Sequence, residues 1–535
     1  MRTRPRRWIM LAVIAAAVLG TLPALAQPPR APERPRVTVD TTYPAAPGRS
    51  HALRSGDNLQ RALDAAKPGE EIVLAAGAVF TGSFSLPNKS GEGWVVIRTS
   101  AMDRLPPPGT RVTPAHAAAM AAIVGVRRQP ALHTKAGAHH FRFVGIEIRP
   151  QAGGYTNNLI SLGTAEEKDP AALPHHFIFD RCYIHGDPKV GGRRGLTLNG
   201  GATAVIDSHV SDWKARGEDT QAVGGWSGPG PFKLVNNYLE AAGENVMFGG
   251  GDPSLPNLVP SDIEIRRNHF AKPLTWHHRD RKHFAGTRWT VKNLLELKNA
   301  RRVVIDGNLF ERSWQESQGG YVIKLSPRNQ DGSAPWSTVE DVTITNNVLR
   351  SAKSGIAIHG TDDEKRSQDS KRILIRNNLF YDVGGQQWGD DTSLLFAITD
   401  GASDLVIEHN TALHEENISF TEGRPHRGFV FRNNIVRHNE YGIAGGGERP
   451  GTAALARYFP GAVVVGNVLI GAKAAEYPGD NFFPPSVDAV GFVDTGRHQY
   501  GLAPKSPYRG KATDGTDPGA DFEALRAAVG RGMLP

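Results

Sequence analysis

One pattern restricts the fold of this chain more than any other: apolar-x-apolar-x-x-Asn-x-apolar, repeated along most of its length. It reads Phe232-Lys-Leu-Val-Asn-Asn-Tyr-Leu239, Ile263-Glu-Ile-Arg-Arg-Asn-His-Phe270 and Val303-Val-Ile-Asp-Gly-Asn-Leu-Phe310. It returns at residues 342–349, 373–380, 405–412, 429–436 and 462–469. Degenerate copies at 141–148, 177–184 and 203–210 put Ile146, Cys182 and Ser208 at the asparagine position. Apolar residues alternating with a period of two mark strands rather than helices. Two strands joined through two residues and an asparagine turn a sharp corner, since asparagine tolerates left-handed backbone. Anchors lie 24 residues apart (Asn410 to Asn434) to 40 apart (Asn268 to Asn308). The leucine pattern of a leucine-rich repeat is missing, and a propeller needs antiparallel strands. The arrangement that fits is an all-β parallel solenoid with three strands per coil, eleven or more coils, and asparagine side chains bonded along the stack.

The rest of the chain divides around that repeat. Residues 1–26 read as a secretory signal, with basic Arg2 to Arg7, apolar Trp8 to Leu19 and the small-residue site Ala24-Leu-Ala26. The apolar run is short and broken at Gly20 and Pro23, which argues against a membrane anchor, and no later stretch is apolar enough to span a bilayer. A secreted or periplasmic location follows. Residues 27–50, rich in Pro and Arg, read as a disordered or extended lead-in. Residues 51–480 read as the solenoid, opened by a short capping helix around Asn58-Leu-Gln-Arg-Ala-Leu-Asp-Ala-Ala66. Residues 481–535 read as a C-terminal closure with a last helical segment at 522–529. Of the net charge of +8, Arg2, Arg4, Arg6 and Arg7 carry half, leaving 58 basic against 54 acidic residues. That mild excess is compatible with an acidic polymer and, with no basic run in an exported chain, points away from nucleic acid. Cys182 is the only cysteine, so no internal disulfide forms, and its repeat position makes it a buried small residue. A monomer is expected.

Each coil needs a third strand between asparagine corners. In the middle of the chain these are Leu294-Leu-Glu-Leu-Lys298, Val322-Ile-Lys-Leu-Ser326 and Ile356-Ala-Ile-His-Gly360. With the aliphatic residues inward, one outward column runs through Ser161, Thr197, Met247, Glu296, Lys324, Ala357, Ala397 and Ser419. A second runs through Gly225, Gly249, Lys298, Ser326, His359, Thr399 and Thr421. Small and neutral residues dominate both columns, and the charges gather on three consecutive coils spaced about 4.8 Å apart. Long Pro/Gly-rich insertions at 250–260, 273–288 and 327–336 would wall this face.

The capping helix, the asparagine-cornered coils and the ending Ser-Pro…Asp-Gly…Pro-Gly-Ala-Asp521 resemble the right-handed parallel β-helix superfamily of pectate lyase type, over about residues 51–530. The resemblance implies a right-handed parallel β-helix with an N-terminal cap. It also implies a carbohydrate-active function, because that superfamily holds polysaccharide lyases, glycoside hydrolases, esterases and non-catalytic adhesins.

A groove of small residues with a central charged cluster suits an extended sugar chain. β-Elimination on a uronate needs a cation against the carboxylate, a base for the C5 proton and an acid for the leaving oxygen. A like charge nearby favours the neutral form of an amine, and Lys324, flanked by Lys298, is the candidate base. Arg328 would neutralise the carboxylate or support the leaving group, and Glu296 would bind a calcium ion or orient Lys324. His359 completes the cluster. In residue kinds this is similar to the Lys/Arg, calcium-assisted lyases of the alginate lyase and chondroitinase B group. Asn329, Glu244, Asn245, Asp252 and Trp336 are candidates for contacting the polysaccharide. Loop tryptophans at 226, 276, 289, 314, 336 and 388 could stack on sugar rings or pack beneath the loops. His277, His278 and His283 lack metal-ligand spacing. Two alternatives stay open: a hydrolase using carboxylates among Glu244, Asp252, Glu296, Asp362 and Asp363, and a non-catalytic polysaccharide-binding protein whose charged row is only a surface ion-pair ladder.

Overall fold

The computed structural model describes residues 29–44 and 48–530. The expected signal at 1–26 lies outside the described residues. Three parallel sheets of 14, 13 and 12 strands form a β-helix. The first sheet carries the strands before each asparagine, such as Ala300–Asp306, the second those after it, such as Leu309–Ser313, and the third those such as Tyr321–Leu325. Register is kept from coil to coil, with Val303, Val342, Ile373 and Leu405 paired in succession. Aliphatic and aromatic residues fill the interior in files, and Phe143 stacks on Phe179 with ring centroids 5.2 Å apart.

The asparagine stack is continuous. The backbone N–H of Asn308 donates to Oδ1 of Asn347 at 2.9 Å, and Asn308 Nδ2 donates to the same oxygen at 2.9 Å and to the Ile265 carbonyl at 2.9 Å. The same set recurs from Asn237 to Asn467 and ends on Asn481, a rung outside the octapeptide pattern. Ser208 continues the stack toward the N-terminus, its Oγ accepting from Cys182 N at 2.9 Å. The left-handed residue at each corner is the one before the ladder asparagine: Asn346, Asn377 and Asn433 have φ of 56°, 57° and 56°. The ladder asparagine thus serves as hydrogen-bonding rung while its predecessor turns the chain. Cys182 is fully buried in this file, and burial pushes its thiol up to about 12.

The two ends are closed differently. Leu59–Ala65 is an α-helix capped by Asn58, whose side chain accepts from Arg61 N, and Leu59 and Leu63 plug the core. At the other end Leu455 and Tyr458 of the helix Thr452–Tyr458 enter the same core. Nothing in the repeat pattern announced that helix. The final helix Phe522–Val529 lies against the outer face of the second sheet, with Leu525 and Val529 on Leu309, Val348 and Leu379. The tail reaches it by running back over the coils, through Gly519 N on the Asn433 carbonyl and Ala520 N on Thr411 Oγ1.

The lead-in is extended and strapped along the first sheet. Arg30 Nε contacts Asp404, Glu33 N donates to Asp341 and Arg36 N donates to Asp262, at 3.2, 2.9 and 2.9 Å. Successive contacts are three residues apart on the strap and two coils apart on the sheet. Three residues of extended polyproline-like chain span about 9.3 Å, and two coils about 9.6 Å. The match explains how a segment with no strand partners is held by one contact per step.

Candidate functional site

The third sheet brings the predicted charged residues together. Glu296 stands opposite Lys324 on the adjacent strand, flanked in the same row by Met247 and Ala357. Farther along, the row differs from the expected one. Ala397 pairs with Phe420, not Ser419, and Thr399 pairs with Glu422, not Thr421. On the other side Gly224 faces Met247, while Gly225 pairs with Phe248 in the interior row. Each is a one-residue slip, which in a strand exchanges the faces.

Glu296 faces outward yet is fully buried. Its Oε2 lies 3.0 Å from Lys298 Nζ, and its Oε1 accepts from Asn293 Nδ2. Burial alone would raise this carboxyl; the charges of Lys298 and Lys324, with the Asn293 bond, hold it below the ordinary value. In return, although burial disfavours its charge, Lys298 is carried up to about 12, chiefly by Glu296 and then Glu244. Glu244, also fully buried, accepts from Gln221 Nε2 at 2.7 Å, and burial, then Glu296, pushes it up to about 7. Lys292 Nζ sits 3.8 Å from Glu244 and 2.6 Å from Asp219. His359 is held at about 4, first by burial and then by the charge of Lys324, and its Nδ1 lies 3.0 Å from Thr399 Oγ1. Glu296, Lys298, Lys324 and His359 therefore form one electrostatic unit.

The sequence pointed to neither Gln221 nor Asn293, because both precede the alternating part of their strands. Asn293 holds the cluster at two points: besides Glu296, its Oδ1 accepts from Tyr321 N at 2.9 Å. The ammonium that Glu296 contacts is that of Lys298, at 3.0 Å, rather than the expected Lys324. The oxygens around Glu296 do not fit a calcium ion, which takes six to eight oxygen ligands, because Lys298 and Lys292 stand among them.

The other predicted contacts are arranged otherwise. Arg328 is committed to three carboxylates, Asp362 and Asp363 at 2.9 Å and Glu364 at 2.6 Å. Asn329 is buried within the same loop, its N–H on Asp362 and its amide on the Arg366 carbonyl. Asp252 ties two loops by accepting from Asp331 N and from Ser333 N and Oγ. Trp336 donates from Nε1 to the Leu258 carbonyl. Asn245 points inside, donating to the Leu239 and Ala271 carbonyls and accepting from the buried Lys272, so it does not face the groove. Arg328, Asn329 and Asp252 build the loop wall. Trp276, Trp314 and Trp388 pack with one another, and His277 stacks on Trp388 at 5.7 Å, so these rings are a core beneath the loops.

No protein-family model matches the chain, and no curated protein matches it. Among solved structures, the PL6 family alginate lyase AlyGC aligns with a TM-score of 0.55 at 14% identity, over 91% of this chain and 58% of AlyGC. The chain thus spans little more than half the length of that protein. A mannuronic acid specific polysaccharide family 6 lyase from human gut microbiota aligns at 0.44 and 12% identity, over 84% of this chain and 89% of that one. The catalytic unit of a GH87 α-1,3-glucanase from Streptomyces thermodiastaticus aligns at 0.45 and 13%, over 84% and 72%. The property shared with AlyGC is the fold, a right-handed parallel β-helix, as the resemblance implied; the repeat itself predicted the parallel three-strand coils.

Proposed function

We propose that this is an exported carbohydrate-active protein, a polysaccharide lyase that cleaves a uronate-containing polymer on its third sheet. The observation that carries this reading is the Glu296–Lys298–Lys324 unit: a buried carboxylate fixing one ammonium, with a second lysine directly opposite. The fold neighbour AlyGC, an alginate lyase, supports the same chemistry. Lys298, fully charged, sits against the substrate carboxylate and stabilises the negative charge that develops when the C5 proton leaves. Lys324, opposite Glu296 on the adjacent strand, is the base that takes that proton. The C5–H electrons form the C4–C5 double bond, the C4–O bond breaks, and the leaving oxygen takes a proton from the Lys324 ammonium. With Arg328 bound to three acids, carboxylate neutralisation falls to Lys298.

A second reading rests on Glu244 and Glu296. Their environments push the two carboxyls apart, one up to about 7 and one down, as in the acid and base of a hydrolase. Both are fully buried beneath the face, which favours the lyase. A panel of uronate and neutral polysaccharides, read by ultraviolet absorbance of unsaturated ends and by reducing ends, separates the readings. Absorbance with reducing ends supports the lyase; reducing ends alone support the hydrolase; binding without either identifies a non-catalytic binder.

A further inference from the structure

Outside the third sheet, four histidines converge where two adjacent coils enter the first sheet. The strands His139–Val144 and His175–Asp180 both begin His-His-Phe, and His139 pairs with His175. In a regular strand, neighbouring side chains point to opposite faces. Here the second histidine of each pair is left-handed, with φ of 59° at His140 and 60° at His176, which turns both rings of a pair to one side. His139 Nδ1 lies 2.7 Å from His140 Nδ1, and His175 Nδ1 lies 2.6 Å from His176 Nδ1. Between coils the rings stack, His139 on His175 at 5.0 Å and His140 on His176 at 4.3 Å. Trp94 stands edge-on to His140 at 5.1 Å.

The equivalent corner elsewhere is filled by opposite charges. Asp262 takes both Nε and Nη2 of Arg302, and Asp341 takes those of Arg372. No carboxylate among the described residues forms an ion pair with any of the four histidines. Among the described residues their ring nitrogens hydrogen-bond only to each other. One ligand atom from each of His140, His175 and His176 lies within 4.8 Å of the others.

We infer that His140, His175 and His176, with His139 beside them, form a binding site for a borderline divalent transition-metal ion such as Zn2+. Imidazole nitrogens suit such ions and not Ca2+ or Mg2+. A tetrahedral zinc with bonds of about 2.0–2.1 Å needs its nitrogens about 3.3 Å apart. The pairs at 2.7 and 2.6 Å are closer than that and the three-ligand spread of up to 4.8 Å is wider, so taking up an ion requires the rings to rotate about their side-chain bonds. An ion here would clamp two successive coils in the N-terminal part of the solenoid, independently of the polysaccharide reading.

The test uses the full mature chain without a histidine tag, stripped with EDTA and titrated calorimetrically with Zn2+, and separately with Ca2+. One Zn2+ per chain and no Ca2+ heat are expected. His140→Ala/His176→Ala should weaken zinc binding by about 100-fold or more, beyond the 10–100-fold cost of losing an outer-shell partner, while His277→Ala leaves it unchanged. No zinc uptake by the wild-type chain, or equal uptake by the double variant, overturns the site. Should the double variant misfold, electron paramagnetic resonance of the wild-type chain with one equivalent of Cu2+ decides. Coupling to three or more imidazole nitrogens supports the site, and coupling to two or fewer overturns it.

Discussion

Glu296 and Lys324 are cross-strand partners on one outer sheet face, and the first of them is buried while its neighbour Lys298 lies 3.0 Å from its carboxylate. The pairing gives Lys324 a fixed position beside the Glu296 carboxylate. Lys324→Ala should therefore abolish cleavage, with kcat reduced about 10²–10⁴-fold, the usual contribution of a positioned base. Far-ultraviolet circular dichroism should be unchanged, because the side chain is only half-buried. Full retained lyase activity would remove Lys324 from the mechanism.

Glu296→Gln tests the support of the cluster. It leaves Lys298 largely buried without its counter-charge, so unfolding free energy should fall by about 3 kcal/mol, as when one partner of a buried pair is removed. Lyase activity should fall with it. Denaturant unfolding monitored by tryptophan fluorescence checks the first, and unsaturated-end absorbance the second.

Arg328→Ala should behave differently. Its guanidinium closes a loop of three carboxylates and is not free for substrate. The expected outcome is a raised KM with kcat within about tenfold of wild type, the pattern of lost positioning rather than lost chemistry. A collapse of kcat with KM intact would return Arg328 to the reacting centre.

The Glu244 carboxyl sits at about 7 in the fold against 4.5 ordinarily. Because the folded state binds the extra proton, this group lowers stability as pH rises from about 4.5 to about 7, by up to about 3 kcal/mol. Glu296, shifted the other way, acts below that window. Glu244→Gln should gain stability relative to wild type on going from pH 5 to pH 8. Urea midpoints at the two pH values measure it, and a constant difference would contradict the shift.

The asparagine file predicts a graded series. Asn347→Ala strands two donors of Asn308 in the interior, each costing about 1–3 kcal/mol. Asn347→Ser should cost less, since Ser208 already serves as a rung. Unfolding midpoints of the two variants should fall in that order.

The fold was legible because the asparagine ladder is a local signal repeated many times, and the third-strand alternation was strong enough to put Glu296 and Lys324 on one wall. What the sequence left unread follows from physics that local patterns do not carry. The slips at Ser419 and Gly225 arose where alternation is weak: Gly225 has no side chain to declare a face, and Asn417–Glu422 mixes polar and apolar residues on both. Gln221 reaches Glu244 and Asn293 reaches Tyr321 N on the next strand, contacts set by coil stacking, while the Asn293–Glu296 bond spans a break in the alternation of one strand. Asn245 stands two residues before the outward Met247, where alternation puts it outside; the irregularity at which Asn245 N and Val246 N both donate to the Leu294 carbonyl turns it inward instead. The commitment of Arg328 depends on Asp362, Asp363 and Glu364 being brought up by the next coil.

The strap of the lead-in also acts as a ruler. Its three-residue step advances in phase with every second coil between Asp262 and Asp404, so it gauges the length of the cylinder as well as gripping it. Adding or excising one coil in that span would throw every later notch out of step by half a period, and an Arg302- or Arg372-type corner would meet a backbone N–H where an acceptor is required. Coil number in this region is consequently locked to the spacing of a segment more than two hundred residues away, and the two can change only together.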